Sequence, residues 1–244
     1  MKRFTFFIFF FVLFFVSCSI NDAPFEHRYV INLVLKPDMK FQRAFVDSTY
    51  RLDQVLGSST GIPGARIFIV DENSDTFRYG EFYTSPVGFY QSYDSFCVKH
   101  GMKYLVNISV EGEVISREVQ VPGSLAIFSP GHLDTVSLSN PPLLIWNSCE
   151  DVYENTYMAA AYIAADDDRE FIPMLTPDTT LGIFYNRFLF EEKDTMYTVL
   201  VEAMDSNMYT YLLSFAEYGE LKEGTAIGLI GAISFDTVAV WVKE

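Results

Sequence analysis

Gly57-Ser58-Ser59-Thr60-Gly61 satisfies the Gly-x-Ser-x-Gly spacing of a nucleophile elbow, the turn that presents a serine for acyl transfer. The elbow needs a buried strand before the serine and a helix after it. Here a polar stretch precedes it, and Pro63-Gly64 with a β-branched run follows, so a flexible Gly/Ser loop explains the five residues better. His100 and His132 are the only histidines downstream of Ser59, and neither has the sequence context of a triad. Together with His27 they are widely spaced and have no His or Cys at ligand spacing, which speaks against zinc. Asp71 with Asp75, and Asp166-Asp167-Asp168, carry calcium-type donors. However, Asp71-Glu72-Asn73-Ser74-Asp75 lacks the glycine and terminal glutamate of an EF-hand loop, and both clusters read as solvated turns. Gly224 to Gly231 lacks the Lys-Ser/Thr ending of a phosphate loop and reads as a strand with glycines at a bend or bulge. No catalytic residue, metal or cofactor follows from these patterns, and the expectation is a protein that is not an enzyme.

Aromatic residues are the remaining chemistry. Tyr79, Phe82, Tyr83, Tyr90 and Tyr93 fall close together in the chain. On an exposed sheet such a row would form a platform for sugar rings. Filling the core of a sandwich is the simpler reading.

The ends of the chain and its charge constrain where such a face would work. Lys2 and Arg3, the apolar run Phe4 to Val16 and the small residue Ser17 have the layout of a secretory signal over residues 1–17, too short for a stable span. Phe15-Val16-Ser17-Cys18 resembles a bacterial lipobox, with Phe15 where Leu is commoner, and the resemblance implies lipidation of Cys18. Each buried methylene of the acyl chains contributes about 0.8 kcal/mol, so such an anchor would be permanent. The expected location is the cell envelope, on the outer membrane, because no Asp follows Cys18. Without residues 1–17 there remain 15 Lys and Arg against 32 Asp and Glu, a net charge of −17. That charge repels phosphate backbones, so nucleic acid is not an expected partner, and the membrane is reached only through the anchor. Cys97 and Cys149 then remain in an oxidising compartment as a candidate disulfide, with two buried thiols as the preferred alternative.

The elements that must position these residues are short β-branched and aromatic runs separated by Gly, Pro, Asn and Asp, the pattern of an all-β chain of antiparallel sandwiches. Residues 18–28 form a tether. Tyr29 to Leu35 is the first strand, Phe41 to Tyr50 the second, and Arg51 to Thr60 a loop. Val106, Ile108 and Val110 share one face of a strand whose other face carries Asn107 and Ser109. Residues 29–122 make a first sandwich, 123–141 a linker with a short strand near Thr135 to Leu138, and 142–244 a second sandwich. In the second, strands are expected at Leu143 to Trp146, Tyr157 to Ala164, Phe184 to Phe190, Met196 to Ala203, Met208 to Phe215, Ile227 to Ile233 and Val238 to Val242.

Pro63-Gly64-Ala65, Ile67 to Asp71, Gly88-Phe89-Tyr90 and Gly101-Met-Lys-Tyr104-Leu-Val resemble prealbumin-like, carboxypeptidase regulatory-like modules. More narrowly they resemble uncharacterised Bacteroidetes-type lipoproteins that carry this module after a lipobox. Leu143-Leu-Ile-Trp146 and Tyr197-Thr-Val-Leu-Val-Glu-Ala203 resemble the strands of fibronectin type III-like or immunoglobulin-like modules. The resemblance implies two consecutive sandwiches and a binding or accessory lipoprotein, working beside an outer-membrane transporter or a glycan system. An envelope hydrolase with an acidic site between the domains, and a purely structural spacer, are the alternatives.

Overall fold

The computed structural model describes residues 27–50, 61–82, 86–93, 96–163, 174–182, 194–218 and 226–243. Residues 1–17, Cys18, the Gly57–Thr60 loop, Tyr83, Asp166–Asp168, Phe184–Phe190 and Gly224 lie outside them.

The N-terminal half folds as strands because its apolar residues alternate. β1 (Tyr29–Leu35) turns Ile31, Leu33 and Leu35 inward and Asn32 outward. β2 (Arg43–Ser48), β3 (Arg66–Asp71), β4 (Thr76–Glu81), β5 (Phe89–Ser92), β6 (Lys103–Val110) and β7 (Glu113–Gln120) follow. They pair in the order β1-β2-β5-β4-β3-β6-β7. Val106, Ile108 and Val110 of β6 are buried while Asn107 and Ser109 face outward, as the alternation predicts. The inward faces meet in one core that includes Leu33, Ile69, Tyr90, Val106 and Val119. Each such side chain contributes about 1.5–3 kcal/mol by leaving water. β4 is the corner of this sandwich. Its residues Thr76–Arg78 pair with β3, whereas Tyr79–Glu81 pair with β5, so one strand passes from one layer to the other.

The C-terminal half has two layers. β11 (Tyr157–Tyr162), β12 (Met174–Thr176), β14 (Thr195–Met204) and the end of β15 (Ala226–Lys243) form one, with β9 (Asp134–Ser137) added parallel to β15. β8 (Ile127–Ser129), β10 (Leu144–Trp146) and β13 (Thr180–Leu181) form the other. Trp146 lies between them, edge-on to Tyr157 at 5.7 Å, among Val199, Val201 and Val240. The fold is an all-β sandwich architecture.

Three expectations change. Met208–Phe215, expected as a strand, belongs to helix α1 (Ser206–Tyr218). Asp205 caps it: the Met208 N–H donates to Oδ1 at 2.8 Å and the Tyr209 N–H to the Asp205 carbonyl at 3.1 Å. Met208 and Leu212, one turn apart, then pack on Met204, Ile233 and Val34. The expected linker 123–141 is not outside the cores, because Leu125 and Val136 are buried with Trp146. The two expected strands Ile227–Ile233 and Val238–Val242 are one strand, β15, of 18 residues.

β15 joins the halves. Ala226–Ala232 pair in parallel with β1, and Ile233–Val242 pair antiparallel with β14. The second sandwich therefore lends its last strand to the first. Gly228 permits this approach: its φ is +118° and a Cβ there would lie 2.0 Å from the Ile31 carbonyl oxygen.

Candidate functional site

The change of partner along β4 leaves an opening. β3 is hydrogen-bonded to β4 only at Phe68, Ile69 and Val70, so Arg66 and Ile67 face a gap where β4 has turned toward β5. A concavity of about 770 Å³ occupies that gap. Tyr79 and Tyr90 contribute to its lining from the inner face. The Tyr90 hydroxyl donates to the Ile62 carbonyl at 2.7 Å and accepts the Ala65 N–H at 2.9 Å, so it braces the start of β3. The Tyr79 hydroxyl is buried with no partner, and burial pushes its pKa well above the ordinary phenol range. Leaving such a group unpaired costs about 1–3 kcal/mol.

The rim is aromatic and cationic. The Tyr93 ring lies flat over Gly80, where a Cβ would stand 2.4 Å from Tyr93 Cζ, and Tyr93 is 71 % exposed. A side chain at position 80 would displace that ring from its present position. Arg78 stands opposite Phe68, and Arg66 is two residues along the same face of β3, so the two cations are diagonal neighbours, about 7–8 Å apart at Cα. Neither guanidinium makes a hydrogen bond or an ion pair to a described residue. The one acid on the lining, Glu81, accepts the Gly64 N–H at 3.2 Å. A flat exposed ring and two arginines without partners among the described residues suit a polar ligand with a ring face.

The aromatic residues singled out from sequence separate into two groups. Tyr79 and Tyr90 are core residues. Phe82 and Tyr93 are exposed, Phe82 edge-on to Phe89 at 6.2 Å on the outer face. Tyr79, Tyr90 and Tyr93 meet at the concavity; Phe82 does not line it. Arg66 and Arg78 were not singled out by sequence reasoning, because nothing local distinguishes an arginine without a partner from one with a partner.

A second arrangement has the composition of a hydrolase triad. His100 Nδ1 lies 3.0 Å from Ser234 Oγ and Nε2 lies 3.3 Å from Asp38 Oδ2. Its geometry is that of a latch. Ser234 is 0 % exposed and its hydroxyl donates to the Pro122 carbonyl at 2.7 Å, so its lone pair accepts from the imidazole and no acyl group can reach it. The chain of contacts ties the β1–β2 turn and the β5–β6 turn to Pro122 and β15. Sequence reading could not find it, since 134 residues separate His100 from Ser234.

An acidic site between the domains would need two carboxylates of raised pKa in a cleft. Burial raises the pKa of both Glu202 and Asp205, Asp205 to about 6. Neither lines the concavity, and Asp205 Oδ1 is engaged by the helix N-terminus. Among the described residues no three His, Cys, Asp or Glu side chains cluster to hold a metal ion. Cys97 and Cys149 are free thiols in this structure. Cys97 is exposed just after β5, while Cys149 donates through Sγ to the Ser124 carbonyl at 3.3 Å.

No family model matches the chain, and no curated protein matches it. Among solved structures it is similar to the chicken CNTN1 FN1-FN3 domains, at 13 % identity and TM-score 0.27, over 89 % of this chain and 67 % of that one. It is also similar to the fibronectin(III)-like modules of Clostridium thermocellum CbhA, at 12 % identity and TM-score 0.29, over 91 % and 92 %. A titin fragment, A168169, aligns at 12 % identity and TM-score 0.23, over 90 % and 100 %. At these scores the likeness carries neither a fold nor a function, and the architecture rests on the strand pairing and cores described above.

Proposed function

We propose that this chain is a non-enzymatic glycan-binding lipoprotein of the cell envelope. It would be exported by residues 1–17, held on the outer membrane by acylated Cys18, and bind saccharide at the β3–β4 gap. The observation that carries this reading is Tyr93, an exposed ring lying flat on Gly80 at the rim of a concavity that Arg66 and Arg78 also line. Sugar rings present apolar C–H faces to such a surface, while their hydroxyls need donors and acceptors around it. The anchor and an outer-membrane transporter as neighbour are parts of the same proposal, supported by the lipobox-like end of the signal and by the resemblance of residues 18–122.

Affinity electrophoresis of the wild type and Tyr93→Ala in gels containing polysaccharides tests the binding. Retardation of the wild type by at least one polysaccharide, weakened about tenfold or more in Tyr93→Ala, is expected of a central aromatic anchor. No retardation by any neutral or acidic polysaccharide would overturn the reading. Mass spectrometry of the mature N-terminus tests the anchor: an unmodified Cys18 would remove it, and envelope co-purification identifies any transporter.

A further inference from the structure

A second concavity, of about 330 Å³, lies on the outer face of β1, β2 and β5, lined by Phe41, Phe45, Phe89, Arg43 and Lys36 among others. Arg43 sits over the Phe89 ring, 5.9 Å from its centroid. The strand register relates this place to the β3–β4 gap. Arg43 stands opposite Gln91, and Gln91 stands opposite Gly80, the residue that Tyr93 covers. Residues paired across strands share a face, so Arg43 of this concavity and Gly80 at the rim of the other lie on one outer surface. Two strand spacings, about 10 Å, separate Arg43 from Gly80. Phe89 and Phe82, edge-on at 6.2 Å, lie on that surface one pair along.

The charges on this surface depart from those of the chain. The linings of the two concavities hold four basic residues, Lys36, Arg43, Arg66 and Arg78, and one acid, Glu81. The whole chain has 17 basic against 32 acidic residues. Arg43, Arg66 and Arg78 make no ion pair with a described residue, although acids outnumber bases almost twofold. Holding cations close together is unfavourable, and an anionic ligand would offset it through charge-assisted hydrogen bonds.

We infer that the two concavities are subsites of one groove that takes a linear acidic glycan. Tyr93 stacks on its rings, and Arg66, Arg78 and Arg43 take its carboxylate or sulfate groups. This rests on the glycan-binding reading above and specifies its ligand. The test is affinity electrophoresis of the full chain against polygalacturonate, alginate, hyaluronan and heparin, with dextran, xylan and mannan as neutral counterparts. The wild type and the Arg66→Ala/Arg78→Ala, Arg43→Ala and Tyr93→Ala variants are compared at low and high salt. All four positions are on the surface, and unchanged melting temperatures confirm folding.

Expected is retention by at least one acidic polymer, weakened by salt, and about tenfold weaker in Arg66→Ala/Arg78→Ala and in Arg43→Ala. Retention by neutral polymers alone, or equal retention of both kinds, would overturn the acidic ligand and leave the glycan reading standing. Loss in Arg66→Ala/Arg78→Ala without loss in Arg43→Ala would overturn the joined groove. Retention by no polymer at all would overturn both readings together.

Discussion

Asp205→Asn offers a direct measure of what the junction between the two sandwiches costs. Asp205 is 1 % exposed; its Oδ1 accepts the Met208 N–H, and its Oδ2 has no partner. β15 packs closely there, since a Cβ on Gly231 would lie 2.9 Å from Oδ1. Desolvation is the largest influence and raises the pKa to about 6, against about 3.9 in the unfolded chain. The folded state therefore binds this proton more tightly than the unfolded state does. Stability from this group is fully present below the unfolded pKa and is lost as pH rises through the folded one. Two pKa units correspond to about 3 kcal/mol. Asn is as good an N-cap as Asp and cannot ionise. The variant should gain about 3 kcal/mol on the wild type between pH 3.5 and pH 7.5, with the gain arising between about pH 4 and pH 7. Urea unfolding of both proteins across that range, monitored by tryptophan fluorescence and far-ultraviolet circular dichroism, provides the comparison. A stability difference that does not change with pH would refute the reasoning, because it would mean that water or a counter-charge reaches Asp205.

Gly228→Ala should cost about 3 kcal/mol or more, since its positive φ and the Ile31 carbonyl both oppose a Cβ; the melting temperature and soluble yield report it. Trp146→Ala should cost about 3–5 kcal/mol, but Trp146→Phe only about 1–2, because the buried indole N–H has no partner to lose. Denaturant midpoints of the two variants should differ accordingly, and equal losses would indicate an unseen hydrogen bond. Burial raises the Cys149 thiol pKa to about 11, so at pH 8 iodoacetamide should label exposed Cys97 far faster; peptide mass mapping would also reveal any bridge that forms.

Much of the molecule was legible in the sequence because a strand writes its own burial into a period of two. Tyr29–Leu35 and Lys103–Val110 alternate, and Gly, Pro and Asn mark where they stop, so the all-β class and most strand positions follow from local physics. Met208–Phe215 misled because its three aromatic residues and Thr210 favour a strand, while the opposing signal, Asp205-Ser206-Asn207 as a cap, is short. Propensity was overridden by the cap and by the Met204–Ile233 surface on which the helix packs. Three features lay outside local reach. β15 reads as two strands, yet its partners β1 and β14 are far apart in the chain, and only their pairing makes it one. The latch of Asp38, His100 and Ser234 joins residues up to 134 positions apart. The candidate site depends on where β4 changes partner. The sequence could supply the tyrosines and arginines, but whether a side chain fills a core, meets a counter-charge or stands at an open gap is set by the strands beside it. Composition and periodicity determined what kind of protein this is; the non-local pairing of β4 and β15 decided where its exposed chemistry lies.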